Sequence, residues 1–199
     1  MAREGDVPGF EIPARYFRYV RSGDARPLEA VLEHNRLDLL SLALLTARAA
    51  QLLDEGPAAA RTARETLGLG RLYERGGLGD RAREAYARAI GMQADTLTRA
   101  EALRCHAVLC RRERRFAEAA EAWQRLLDLR RCPPHLAREA SEALAVHHEH
   151  RLRDPQAARL FALPTLGFGA SVSRKHAVRH RLARLERKLG GPATESLRF

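Results

Sequence analysis

Apolar residues recur along this chain at three- and four-residue intervals, and alternating strand-like runs are nearly absent. The pattern predicts helices almost throughout, with turns set by Gly and Pro. A first helix is expected over Ala14–Arg21, with Pro13 at its opening position and Ser22-Gly23-Asp24 closing it. A long helical stretch follows from about Pro27 to Leu53, and His34-Asn35 is where a break would fall. Gly56-Pro57 ends this part and marks a domain boundary.

Beyond the boundary the pattern repeats. Leu69, Gly70 and Tyr73 are followed by Ala82, Tyr86 and Ala89, with Gly76-Gly77 as the turn. Small residues at Gly70 and Ala82 let two helices approach closely, and Tyr73 and Tyr86 fill the groove between them. A second copy lies 37 residues on, at Ala107, Cys110, Ala119, Trp123 and Leu126. Its helices are expected at Thr98–Arg112 and Phe116–Leu129, and Pro133-Pro134 ends it. A third follows after 38 more, at Leu144, Ala145, His148, Ala157 and Phe161, with Asp154-Pro155 as a helix cap and first-turn pair. Residues 57–164 thereby resemble three tetratricopeptide repeats, which implies stacked helical hairpins that hold a protein partner.

A last helix, over 171–190, carries Val178, Leu182, Leu185 and Leu189 as one apolar stripe. Arg174, Arg181, Arg184 and Lys188 take much of the remaining surface. Two roles stay open for it: a cap with a polar outer face, or a helix that contacts nucleic-acid phosphates.

Composition sharpens the second role. Lys+Arg number 35 and Asp+Glu 25, a net charge of +10. Residues 1–53 are net neutral, residues 54–170 carry +4 and residues 171–199 carry +6. A basic balance points to a polyanionic partner, and here to the C-terminal end. Three cysteines (Cys105, Cys110, Cys132) form neither an even disulfide set nor a metal spacing. No apolar run is long enough for a membrane span, and the N-terminal residues lack the apolar stretch of a signal peptide. A cytoplasmic setting and no membrane partner are the expectations.

The front block carries the most specific chemistry. It reads Ile12-Pro13, Tyr16-Phe17-x-Tyr19, Ser22-Gly23, Leu28-x2-Val31, His34-Asn35-x2-Asp38 and Ser41-Leu42-x2-Leu45. This resembles the closing part of the RNase H-like exonuclease domain of the YprB-like family, in which tetratricopeptide repeats follow the nuclease. The resemblance implies a four-carboxylate 3′–5′ exonuclease with Mg²⁺ or Mn²⁺ as cofactor and nucleic acid as substrate. It assigns Asp38 as the last metal ligand, and His34 as the residue that orients or deprotonates the attacking water. The family's other three carboxylates lie on upstream strands and a middle helix, and no Asp-x-Glu on a strand-like run occurs here. One carboxylate and one imidazole cannot build a two-metal site, so a truncated copy, inactive alone, is expected.

The expected fold class is therefore all-α: tetratricopeptide-like hairpins preceded by the last helices of a truncated RNase H-like domain, residues 1–53. Leu39, Leu42 and Leu45, which would pack on the nuclease sheet, are expected to form an exposed apolar patch. Weaker candidates are read as structural. His147-His148-x-His150 lacks further ligands at firm spacing. His106, His148, Trp123 and the cysteines fall at packing positions. Besides the nuclease fragment, a non-enzymatic scaffold for a protein partner and a basic nucleic-acid-binding module remain as readings.

Overall fold

A computed structural model describes residues 7–166 and 172–190. Among them every regular element is helical, so the protein is all-α. Among the described residues no helix is long and apolar enough to cross a membrane. The chain divides into two compact units, Met1–Ala59 and Ala60–Phe199.

The first unit holds α1 (Ile12–Ser22) and α2 (Arg26–Glu55). Pro13 sits in the first turn of α1, where its missing N–H costs nothing. Gly23 ends the helix at φ +69°, a left-handed conformation that Gly adopts without strain. The second helix runs unbroken for 30 residues, so no break occurs at His34-Asn35. His34 and Asp38 instead face each other one turn apart, a pairing that supports the helix. Neither α1 nor α2 has a single buried residue. Leu39, Leu42 and Leu45 are 60%, 62% and 68% exposed, so the apolar patch expected around them is present.

The second unit holds α3 (Ala63–Arg75), α4 (Gly79–Gly91), α5 (Thr96–Arg112), α6 (Phe116–Leu127), α7 (Pro134–His147), α8 (Pro155–Ala162) and α9 (Val172–Gly190). Each helix packs on the next, and α5 also touches α3 and α7. The result is three successive helical hairpins followed by α9. Thr62, Asp95 and Asp154 cap α3, α5 and α8, accepting from backbone N–H groups three residues on at 3.1, 2.9 and 2.9 Å. The hairpin interiors are lined by small residues: Ala82, Ala85, Ala89, Ala107 and Ala145 are fully buried. At Gly70 an added Cβ would lie 2.5 Å from the Tyr86 ring, so the absent side chain is what lets α4 seat on α3.

The turns show where the third hairpin departs from the expected spacing. In the first, Gly77 has φ +75° and Leu78 N–H reaches back to the Tyr73 carbonyl. In the second, Arg114 has φ +62° and Arg115 N–H reaches the Cys110 carbonyl. In the third, the bond runs one residue further, from Asp154 N–H to the His148 carbonyl, and His148–Leu152 winds as a π-helical turn. This extra residue shifts α8 by one position. Ala158, Ala162 and Thr165 fill the buried places, not Ala157 and Phe161, which are half-buried. The last helix differs from expectation too. Val178, Leu182 and Leu185 are buried, but Leu189 is exposed. The 8 residues of α8 span roughly 12 Å, too short to cover the 19 residues of α9.

Candidate functional site

The candidate site on the first unit is built on α2. An i,i+4 spacing puts His34 and Asp38 on one face, and their Nε2 and Oδ2 atoms lie 3.2 Å apart. Asp38, Leu42 and Leu45 follow one another at i, i+4 and i+7, so the carboxylate stands on the exposed apolar face itself. The Asp38 side chain is 53% exposed and that of His34 27% exposed. Glu33 is held by Arg36 through two hydrogen bonds of 2.7 and 2.6 Å, which draw its carboxyl below the ordinary range.

This arrangement does not by itself hold a divalent metal. Mg²⁺ and Mn²⁺ require several oxygen ligands in near-octahedral order. Among the described residues no group of three or more His, Cys, Asp or Glu side chains is placed to bind a metal. Asp38 offers one carboxylate, with the His34 imidazole 3.2 Å away. The pair fits one corner of such a site and not the whole.

The basic C-terminal residues are placed on the second unit, and an acid that sequence reasoning passed over organises them. Glu149 lies in the π-helical turn with its side chain wholly buried. Arg184 donates from Nε and Nη2 to its two oxygens at 2.8 and 2.7 Å, and Lys188 Nζ donates at 3.1 Å. Arg181 Nε stands 3.8 Å away, an ion-pair contact beyond hydrogen-bond range. Burial pushes the Glu149 carboxyl up, but the hydrogen bonds and charges of Arg184 and Lys188 outweigh it and hold the group at about 2. Three of the four basic residues singled out in the sequence thus form one stripe that clamps α9 to the third hairpin. The side chain of Arg174 lies outside the described residues. The signal in the sequence was the isolated acid in His147-His148-Glu149-His150, but only the π turn carries that acid inward.

The remaining candidates take packing roles. His148 stacks on Phe161 with ring centroids 5.1 Å apart. Burial raises the Cys110 thiol and lowers the neighbouring His106 imidazole. Both are shifted towards their uncharged forms, the opposite of an activated thiolate–imidazolium pair.

Comparison with known proteins adds one match. Residues 1–50 match the family described as the RNase H superfamily, so the front quarter of the chain is an RNase H-like region. No curated protein matches the chain.

Proposed function

We propose that α1 and α2 are the closing helices of an RNase H-like nuclease domain, and that the helical hairpins after them form a tetratricopeptide-like interaction module. The observation that carries the reading is the coincidence of three features on α2. The RNase H match covers it up to residue 50, the His34–Asp38 pair lies on one face, and that face is apolar and exposed. A 30-residue helix with no buried residue has not found its packing layer. In RNase H-type folds that layer is a sheet, and among the described residues there is no strand. The sheet, with further carboxylates, is supplied from outside the described residues. Asp38 contributes one oxygen ligand to the shared site, and His34 holds the carboxylate in position through its Nε2. The reaction class is phosphodiester hydrolysis of nucleic acid.

The test compares two preparations. The 199-residue chain alone is expected not to degrade 3′-labelled oligonucleotides with Mn²⁺ or Mg²⁺. The chain isolated natively from its own cells by a C-terminal tag is expected to degrade them, and Asp38→Asn should lower that rate at least 100-fold, on the order of a lost metal ligand. Full activity of the Asp38→Asn preparation refutes the assignment. Activity of the lone chain that Asp38→Asn abolishes refutes the external sheet.

A further inference from the structure

The second unit contains a cavity of about 190 Å³ where α6 and α7 meet the π-helical turn. Its walls are apolar: Phe116, Trp123, Val146 and three alanines. Its rim carries the cations Arg111 and Arg151 beside His147 and His150, the His147 imidazole being held towards its neutral form by burial and by His148 and Arg151, and no carboxylate lines it. The Arg151 guanidinium lies over the Phe116 ring at 3.7 Å from its centroid, which fixes it at the rim. The volume falls below the roughly 300–1,000 Å³ of a small-molecule pocket and suits one inserted side chain.

The internal repeat says what the cavity lacks. In the first hairpin, Tyr86 donates its buried hydroxyl to Glu74 at 2.7 Å, and Arg112 pairs with the same carboxylate at 2.7 Å. Thirty-seven residues on, Trp123 stands in the place of Tyr86 and Arg111 in the place of Glu74. The aromatic donor is retained, but its acceptor has become a cation. The indole Nε1 of Trp123 is buried and meets no acceptor. A buried donor without a partner keeps its desolvation penalty uncompensated, and an incoming acceptor removes it.

We propose that this cavity binds an acidic peptide segment that inserts one apolar side chain. The side chain fills the space between Phe116, Trp123 and Val146. A peptide oxygen accepts from Trp123 Nε1–H, and flanking Asp or Glu carboxylates pair with Arg111 and Arg151. An apolar floor with a charged rim is the anatomy of a protein–peptide anchor site. A nucleobase fits less well, because the apolar walls leave the polar atoms on its edges without partners. This inference rests on the reading of the hairpins as an interaction module and is independent of the nuclease reading.

Trp123 is the only tryptophan in the chain, so its fluorescence reports the site directly. The probe is a six-residue peptide, Asp-Glu-Leu-Phe-Glu-Asp, titrated into the full chain at low salt. A saturable change in tryptophan emission is expected. Replacing Leu and Phe in the peptide by Ser, or its acids by Asn and Gln, should weaken binding by roughly tenfold or more each. Arg111→Glu, an exposed position that restores the acid of the first hairpin, should weaken it comparably. Fluorescein anisotropy of the labelled peptide on Trp123→Phe, which keeps an aromatic side chain, smaller than the indole, and removes the donor, should also show weaker binding. No saturable change up to millimolar peptide overturns the proposal. So does unaltered affinity in Arg111→Glu, or saturation of the site by oligo-dT in preference to the peptide.

Discussion

Glu149 shows how one residue can set the fate of a whole stripe of charge. It is a fully buried acid facing Arg181, Arg184 and Lys188 of α9, with His150 Nε2 of its own turn 3.6 Å away. Glu149→Ala leaves those cations facing an empty, desolvated place. A fully buried pair broken in this way costs about 3–5 kcal/mol. Because Arg184 and Lys188 remain partly exposed, about 1–3 kcal/mol is expected here, measured by urea unfolding. The pH dependence follows from the depressed carboxyl. A folded-state value of about 2, below the ordinary 4.5, means the stabilisation is complete above about pH 5 and is lost as pH falls towards 2. The stability difference between the wild type and Glu149→Gln should therefore be fully present at pH 5 and shrink below pH 4. A difference that grows on acidification contradicts the assignment.

At the scale of elements, the hairpin turns and the helix contacts set separate requirements. The first two turns need a residue at positive φ, and the chain uses Gly77 in one and Arg114 in the other. A non-glycine side chain there costs roughly 1–2 kcal/mol. Arg114→Gly is thus expected to raise stability by about 0.5–1 kcal/mol, after the greater flexibility of Gly in the unfolded chain is offset. Thermal denaturation reads it as a higher midpoint. Gly70 demands the reverse. Gly70→Ala improves helix propensity by about 1 kcal/mol, but its Cβ would lie 2.5 Å from the Tyr86 ring. Overpacking of that kind costs about 1–3 kcal/mol, so a net loss is expected, with the α3–α4 hairpin opening first in hydrogen exchange. Between hairpins, α3, α5 and α7 are joined by Arg71–Glu101 and Arg104–Glu139 pairs, each at 2.7 Å. These half-exposed pairs add orientation more than stability.

At the scale of the whole molecule, the two units have opposite internal economies. The second buries a continuous set of alanines, leucines and aromatics, whereas α1 and α2 bury nothing. A two-helix unit has too little surface to enclose its own core. The exposed leucines of α2 should make the isolated chain self-associate. The triple variant Leu39→Glu, Leu42→Lys, Leu45→Glu is expected to abolish concentration-dependent sedimentation while keeping the helical circular dichroism, since no buried residue changes. In the native assembly the same variant should abolish the nuclease activity proposed above, because the sheet loses its packing face. A variant that keeps both self-association and activity would show that this face is not the contact.

Much of this was legible in the residues before any tertiary structure. Local rules sufficed for Pro13 and Gly23 around α1, for the Asp154 cap of α8 and for the all-α class, because each depends on neighbours a few positions away. The i,i+4 pairing of His34 and Asp38 could likewise be read from spacing, and the exposure of Leu39, Leu42 and Leu45 followed from the resemblance to a domain whose sheet is missing here. Three features depended on the tertiary structure. The extra residue of the π turn is invisible to a fixed repeat spacing, so Ala158 and Ala162 were misplaced by one. The exposure of Leu189 follows from the length of α8, a different element. The pairing of Arg181, Arg184 and Lys188 with Glu149 joins residues 32–39 positions apart through that same π turn. Charge along a sequence adds up without direction; only packing decided that this stripe faces a buried acid.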